Sequence, residues 1–117
     1  MQIAWLGFGA IEIEGERYEQ DVVLDRGRVR RRKKKRSRSF RDDFGHTPLS
    51  LEEPIPWGGR RLVIGTGAYG QLPIMPDVEA EARRRGVEVV ALPTPEACRL
   101  LQDADRGAVR AVLHVTC

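Results

Sequence analysis

Between Arg26 and Arg41 the chain carries eleven basic side chains and no acidic one. A stretch of this kind cannot simply run through a domain interior, because each unpaired charge taken out of water costs several kcal/mol. It is expected at a sheet edge or in a solvated loop, where Lys and Arg also discourage pairing with strands of other chains. The chain as a whole has 20 basic and 17 acidic residues, a formal net charge of +3. Outside the basic stretch only 9 basic residues stand against 17 acidic ones. The positive sign of the whole therefore belongs to one segment on a mildly acidic body.

At 117 residues, 41% of them apolar, the chain is sized for one core, since two domains would each fall near the lower limit for stability. Residues 1–117 are accordingly read as a single domain with a basic edge or loop segment at 26–41. No apolar run approaches the roughly 18 residues a membrane helix needs. The apolar start (Ile3, Ala4, Trp5, Leu6, Phe8) lacks a preceding basic region and a cleavage-type site, so it does not read as a signal peptide. Cys98 and Cys117 form neither a metal spacing nor a disulfide framework. A reducing cytoplasm, no metal and no cofactor are the expectations.

The pattern of the first 30 residues is that of strands. Phe8, Ala10, Ile11 and Ile13 lie among Gly9, Glu12 and Glu14 as in a half-buried strand, with a turn at Gly15-Glu16 and an extended piece from Arg17-Tyr18. Val22-Val23-Leu24 is a β-branched run bounded by Asp25-Arg26-Gly27, where Gly27 can supply the positive φ of a tight hairpin. Its partner starts at Arg28-Val29. Ser50 and Glu53 have capping-box spacing and predict a short helix, against which Pro54 counts.

The period then changes. Arg61-Leu62-Val63-Ile64 ends at Gly65 like a strand covered on both faces. Pro76 opens a helix to about residue 85, with Gly86 just past its end and acidic then basic residues aligned with its dipole. Residues 87–92 read as a strand, Thr94 as the cap of a helix continuing through Pro95 to about Asp103, and Val109–Thr116 as a last strand. The expected fold is α/β: a mixed sheet with an N-terminal antiparallel meander and a C-terminal β-α-β-α-β unit.

Gly65-Thr66-Gly67-Ala68-Tyr69-Gly70 fits G-x-G-x-x-G after a strand, the pattern of a dinucleotide loop. The context fails, because Leu72-Pro73-Ile74-Met75-Pro76 intervenes before the helix and the next strand ends without an acidic residue for a ribose. Two readings stay open for Gly65, Thr66, Gly67 and Gly70: a loop whose N–H groups converge on an anion or small ligand, or a tight crossover. His46 and His114 are candidates for the same ligand site. Arg30, Arg31, Arg32, Lys33, Lys34 and Lys35 are candidates for phosphate contacts. No aromatic interleaves them before Phe40, and no nucleic-acid-binding motif accompanies them, so a solvated edge is the plainer reading. His114 and Cys117 suggest a nucleophile pair, but strand alternation sends them to opposite faces. A buried, hydrogen-bonded His114 fits better, and Cys98 sits at core spacing on its helix. No catalytic residue is assigned.

Five segments in chain order resemble the Mth938-like family: Asp21-Val22-Val23, Gly45-His46-Thr47-Pro48-Leu49-Ser50, Leu62-Val63-Ile64-Gly65-Thr66-Gly67, Leu92-Pro93-Thr94-Pro95-Glu96-Ala97 and Leu113-His114-Val115-Thr116-Cys117. They span nearly the whole chain. The resemblance implies a compact α/β domain with a mixed sheet, and no established enzymatic activity or cofactor. Relatives in that family include a mitochondrial assembly factor for respiratory complex I and an adipogenesis-associated protein. A basic stretch before the Gly-His segment is common there too, although the run here is unusually dense. The expected role is a non-enzymatic interaction or assembly module with a protein partner. The alternatives are nucleic-acid or anionic-surface binding through 28–41, or a small ligand at Gly65–Gly70. An oligomer of identical chains is compatible with the sequence.

Overall fold

The computed structural model describes all residues, 1–117. In chain order the strands and helices are β1 (Ile3–Gly7), β2 (Ala10–Ile13), β3 (Glu16–Tyr18), β4 (Val22–Asp25), β5 (Arg28–Arg31), α1 (Arg41–Phe44), β6 (Arg61–Thr66), α2 (Pro76–Arg85), β7 (Glu88–Leu92), α3 (Thr94–Gln102) and β8 (Arg110–His114). Two 3-10 segments, Lys34–Phe40 and Arg106–Ala108, complete the set. No helix is long and apolar enough to cross a membrane.

The strands form two sheets. One is the antiparallel meander β1-β2-β3; the other is five-stranded, in the order β5-β4-β8-β6-β7. β6 runs parallel to β7 and to β8, while β4 is antiparallel to both β5 and β8. The α/β class and the C-terminal β-α-β-α-β unit are as expected. After β6 the chain passes through α2 to β7 on one side, then returns through α3 to β8 on the other. Right-handed crossovers in opposite directions put the two helices on opposite faces of the sheet.

Those faces are the two halves of the core. Val22, Leu24, Val63, Ala111 and Leu113 pack against Ile3, Ile11 and Ile13 of the small sheet and Ala97, Cys98 and Leu101 of α3. Val23, Leu62, Ile64 and Val112 pack against Leu49, Ile55 and Leu72 from loops and Val78 and Ala82 of α2. The alternation expected along the last strand is thus present, Val112 on one face and Ala111 and Leu113 on the other.

Four local expectations need correction. The apolar start is two strands, because the chain reverses between Gly7 and Ala10. The meander does not continue into Val22–Leu24: the small sheet stacks on the face of the larger one, burying Ile11 and Ile13 against Val22 and Leu24. Residues 51–53 form a turn, not a helix; the Glu53 side chain goes to Arg32. Thr94 does not cap α3, whose N-cap is Pro93. Instead its hydroxyl donates to the His114 carbonyl (2.5 Å) and accepts from the Gly67 N–H (2.8 Å). The hairpin at Arg26-Gly27 matches expectation, with Gly27 at φ 78°, and Gly86 takes the left-handed position after α2.

Gly67 is where three parts of the fold meet. At φ +103°, an added Cβ would lie 2.3 Å from the Cys117 carbonyl carbon and 2.7 Å from the Thr116 oxygen. Backbone offers no give there. Gly67→Ala is expected to lower stability by more than about 2 kcal/mol through strain and overlap together, read as a drop in urea midpoint. An unchanged midpoint would mean the loop does not hold this geometry in solution.

Candidate functional site

Residue Asp21 immediately precedes β4 and Arg32 immediately follows β5, the two sides of one hairpin. The Arg32 N–H donates to the Asp21 carbonyl (2.9 Å), extending the ladder one pair beyond the strands. Strand alternation then turns the Arg32 side chain inward, where 1% of it is exposed. Its Nε and Nη2 donate to the two oxygens of Glu53 (2.8 and 2.9 Å), its Nη1 to Asp21 Oδ2 (2.9 Å), and Nη2 also to the Pro48 carbonyl (3.0 Å). The two-pronged contact with Glu53 is the strong geometry for a guanidinium and a carboxylate. Ser37, buried in the 3-10 segment, donates to Glu53 Oε2 (2.5 Å) and lies 2.6 Å from the Ser50 hydroxyl.

The expectation that the basic segment is wholly edge or solvent is therefore corrected at one position. β5 is an edge strand, and Arg31, Lys33, Lys34, Lys35, Arg36, Arg38 and Arg41 are exposed, but Arg32 is buried. It is buried because it is paired on both sides, the condition under which a charge can leave water. Burial opposes its charge, and Glu53 and Asp21 more than offset that, raising its pKa.

Asp21 carries the network to β8. Its Oδ1 accepts from the Val115 N–H (2.9 Å) and its Oδ2 lies 2.8 Å from His114 Nδ1. Burial alone would raise this carboxyl, but the hydrogen bond and charge of His114, the Val115 N–H and Arg32 outweigh it and lower its pKa from 3.8 to about 2. An ionised carboxylate only accepts, so His114 presents its Nδ1–H inward. The outward nitrogen, Nε2, lies 3.2 Å from Thr116 Oγ1.

Above this pair opens a cavity of about 440 Å³. Arg32, His114, Thr116 and Cys117 line it from the sheet, with Lys34, Arg38, Arg41, His46 and Thr47 from the segment that follows β5. No acidic side chain is among the lining residues. The segment reaches across because Leu49 is bridged to the loop before α2, donating to Pro73 O (2.8 Å) and accepting from Met75 (3.0 Å). A larger basic concavity of about 510 Å³ lies alongside, lined by Arg31 to Arg36 and Arg38.

The structure thus brings His46 and His114 together and leaves Gly65, Thr66, Gly67 and Gly70 outside the cavity. Every N–H from Gly67 to Leu72 is already bonded within the chain. Gly67 donates to Thr94 Oγ1, Ala68 to Thr116 O, Tyr69 and Gln71 to Cys117 O, Gly70 to Gly67 O, and Leu72 to Thr66 O. The loop grips the segment after β8 with the groups an anion would have used. Of the six phosphate-contact candidates, Arg32 is in the network and Arg30 donates to the Pro54 carbonyl; Arg31, Lys33, Lys34 and Lys35 face solvent. Sequence reasoning did not select Asp21, Glu53 or Thr116, and it took in Ser37, Arg38 and Arg41 only as part of the 28–41 segment. The signal for Asp21 was the hairpin, because it and Arg32 are equidistant from the Arg26-Gly27 turn. His114 and Cys117, assigned to opposite strand faces, both line the cavity because β8 ends at His114.

A family model described as a protein of unknown function (DUF498/DUF598) matches residues 3–113. Among solved structures, a conserved hypothetical protein of Pyrococcus horikoshii is 30% identical, with a TM-score of 0.77 and 100% of both chains covered. A protein named MT938 is 24% identical over 94% of this chain and 93% of its own, with a TM-score of 0.68, and so shares the fold. Both agree with the Mth938-like resemblance. No curated protein matches.

Arg32→Met is expected to cost about 3–5 kcal/mol, because it strands Asp21 and Glu53 as buried carboxylates. Arg31→Met, at the neighbouring exposed position, should stay within roughly 0.5 kcal/mol. Urea denaturation of the two variants checks this, and equal losses would show that Arg32 is no keystone. Acid should also weaken the fold at Asp21. Its folded pKa lies below the ordinary 3.8, so its contribution is complete above about pH 4 and is lost as pH falls through 2. The urea midpoint should drop across that window, and less so in Asp21→Asn.

Proposed function

The chain belongs to the DUF498/DUF598 family of proteins of unknown function, and we propose that it is a recognition module for an anionic group, phosphate or carboxylate, held in the cavity above His114. One observation carries this reading: Arg32, Lys34, Arg38, Arg41 and two histidines line one cavity with no acidic side chain among them. Charges of one sign on low-dielectric walls focus the field onto a small counter-ion. The guanidinium groups supply paired donors suited to phosphate or carboxylate oxygens. The size of about 440 Å³ falls in the range of small-molecule sites, roughly 300–1,000 Å³. On a protein partner the same group would be an exposed acidic or phosphorylated side chain, which keeps the non-enzymatic interaction role within this reading.

A second reading has its own support. The adjoining concavity is lined by Arg31, Arg32, Lys33, Lys34, Lys35, Arg36 and Arg38 with no acidic residue, so a polyanion such as a nucleic acid could lie along both. The two make different demands on the residues. With orthophosphate titrated at constant ionic strength, the melting temperature should rise with its logarithm. The triple change Lys34→Gln, Arg38→Gln, Arg41→Gln should remove the rise, while Arg31→Gln, Lys33→Gln, Lys35→Gln should leave most of it. No rise in the wild type ends the cavity reading. Equal loss in both triples, with steeply salt-dependent oligonucleotide binding, favours the polyanion.

A further inference from the structure

The cavity holds more than charge. Asp21, His114 and Thr116 form a line from a buried carboxylate to a half-buried hydroxyl, with separations of 2.8 and 3.2 Å. This is the order of orienting acid, base and nucleophile that activates a hydroxyl in acyl transfer, where the constellation is known by geometry and roles and not by position in the chain. Three features of the arrangement go beyond what anion binding needs. Asp21 is ionised and accepts from Val115 and Arg32 as well as His114, so it is fixed while it holds the ring. Nδ1 faces Asp21 and Nε2 faces Thr116 Oγ1, so a proton leaving the hydroxyl meets the ring at the nitrogen that Asp21 does not occupy. The Thr116 backbone is fixed too, its carbonyl accepting from Ala68 at 2.6 Å.

We propose that Thr116 is a nucleophile, with His114 as its general base and Asp21 as the positioning residue, acting on an ester whose acyl group carries a second negative charge. The inference rests on the anion-binding reading, because Lys34, Arg38 and Arg41 both attract that charge and stabilise the oxyanion that forms. In the first step Thr116 Oγ bonds to the acyl carbon while its proton passes to His114 Nε2. The ester C–O bond then breaks and the alcohol departs with that proton. In the second step a water gives a proton to Nε2 and its oxygen attacks the threonyl ester. The Oγ–acyl bond breaks, Oγ recovers the proton, and the free acid leaves.

The probe is the mono-4-nitrophenyl ester of terephthalic acid, whose rigid ring keeps its own carboxylate away from its ester; 4-nitrophenyl benzoate is the neutral comparison. The wild type is expected to release nitrophenolate faster from the charged ester, with a terephthaloyl adduct on the peptide containing Thr116. Thr116→Val and His114→Asn should each lower the rate by about 100-fold or more, the usual share of a general base and its nucleophile, while Thr116→Ser keeps it. Equal rates in the wild type and Thr116→Val, or no adduct on Thr116, overturn the proposal. Phosphate stabilisation of the same preparations separates the two levels. If it persists while the ester is untouched, only the chemistry is wrong; if it too is missing, the anion site itself is wrong.

Discussion

The buried guanidinium of Arg32 is the joint on which the rest turns. It stands between two carboxylates, Asp21 and Glu53, that come from opposite sides of the basic segment in the chain. Each member alone would be a charge stranded out of water; together they satisfy one another's hydrogen-bonding capacity. The consequence is positional. Glu53, with Ser37 and Ser50 behind it, pins residues 37–53 onto the end of the sheet, and that pinning brings Lys34, Arg38, Arg41 and His46 over His114. A stretch that looks like surface charge is in this way folded into the wall of a cavity.

The same carboxylate does two things. Asp21 balances Arg32 on one side and orients His114 on the other. A structural ion pair and the ring of a candidate functional histidine are therefore coupled through one shared oxygen, Oδ2. Anything that shifts the hairpin shifts the imidazole as well, so a local turn at Arg26-Gly27 sets the geometry of a residue 93 positions after Asp21.

How much of this was legible depends on range. The strands, the two crossover helices and the Gly27 hairpin follow from period and turn chemistry, which are local. Arg32 was hidden because its burial depends on Glu53, and nothing in the spacing of the two says they meet; a run of like charges reads as solvated until its partners are placed. Asp21 was recoverable, since the hairpin register alone sets it opposite Arg32. The glycine loop misled in an instructive way. Gly65 and Gly67 do permit close approach, as the motif suggests, but what approaches is the chain itself, Thr94 and the Thr116–Cys117 backbone. A pattern of small residues tells that something comes near and does not say what. Thr94 makes the same point: its residue type suits a cap, yet the hydroxyl ties two strands' ends together.

The placement of β8 carries a further consequence for how the molecule is made. This strand, among the last segments in chain order, lies in the middle of the five-stranded sheet, between β4 and β6. On the ribosome, β4 with β5 and β6 with β7 can each form early as a two-stranded ribbon, but the facing edges of β4 and β6 stay unpaired until residues 110–114 emerge. Joining β4 to β8 closes a loop of more than 80 residues, the kind of distant pairing that slows folding and lengthens exposure of sticky edges. The cations of β5 lie on the other edge of the β4-β5 hairpin, which remains an edge in the finished sheet, so they discourage foreign strands there both before and after β8 arrives, while the β4 edge has only its speed of pairing to protect it.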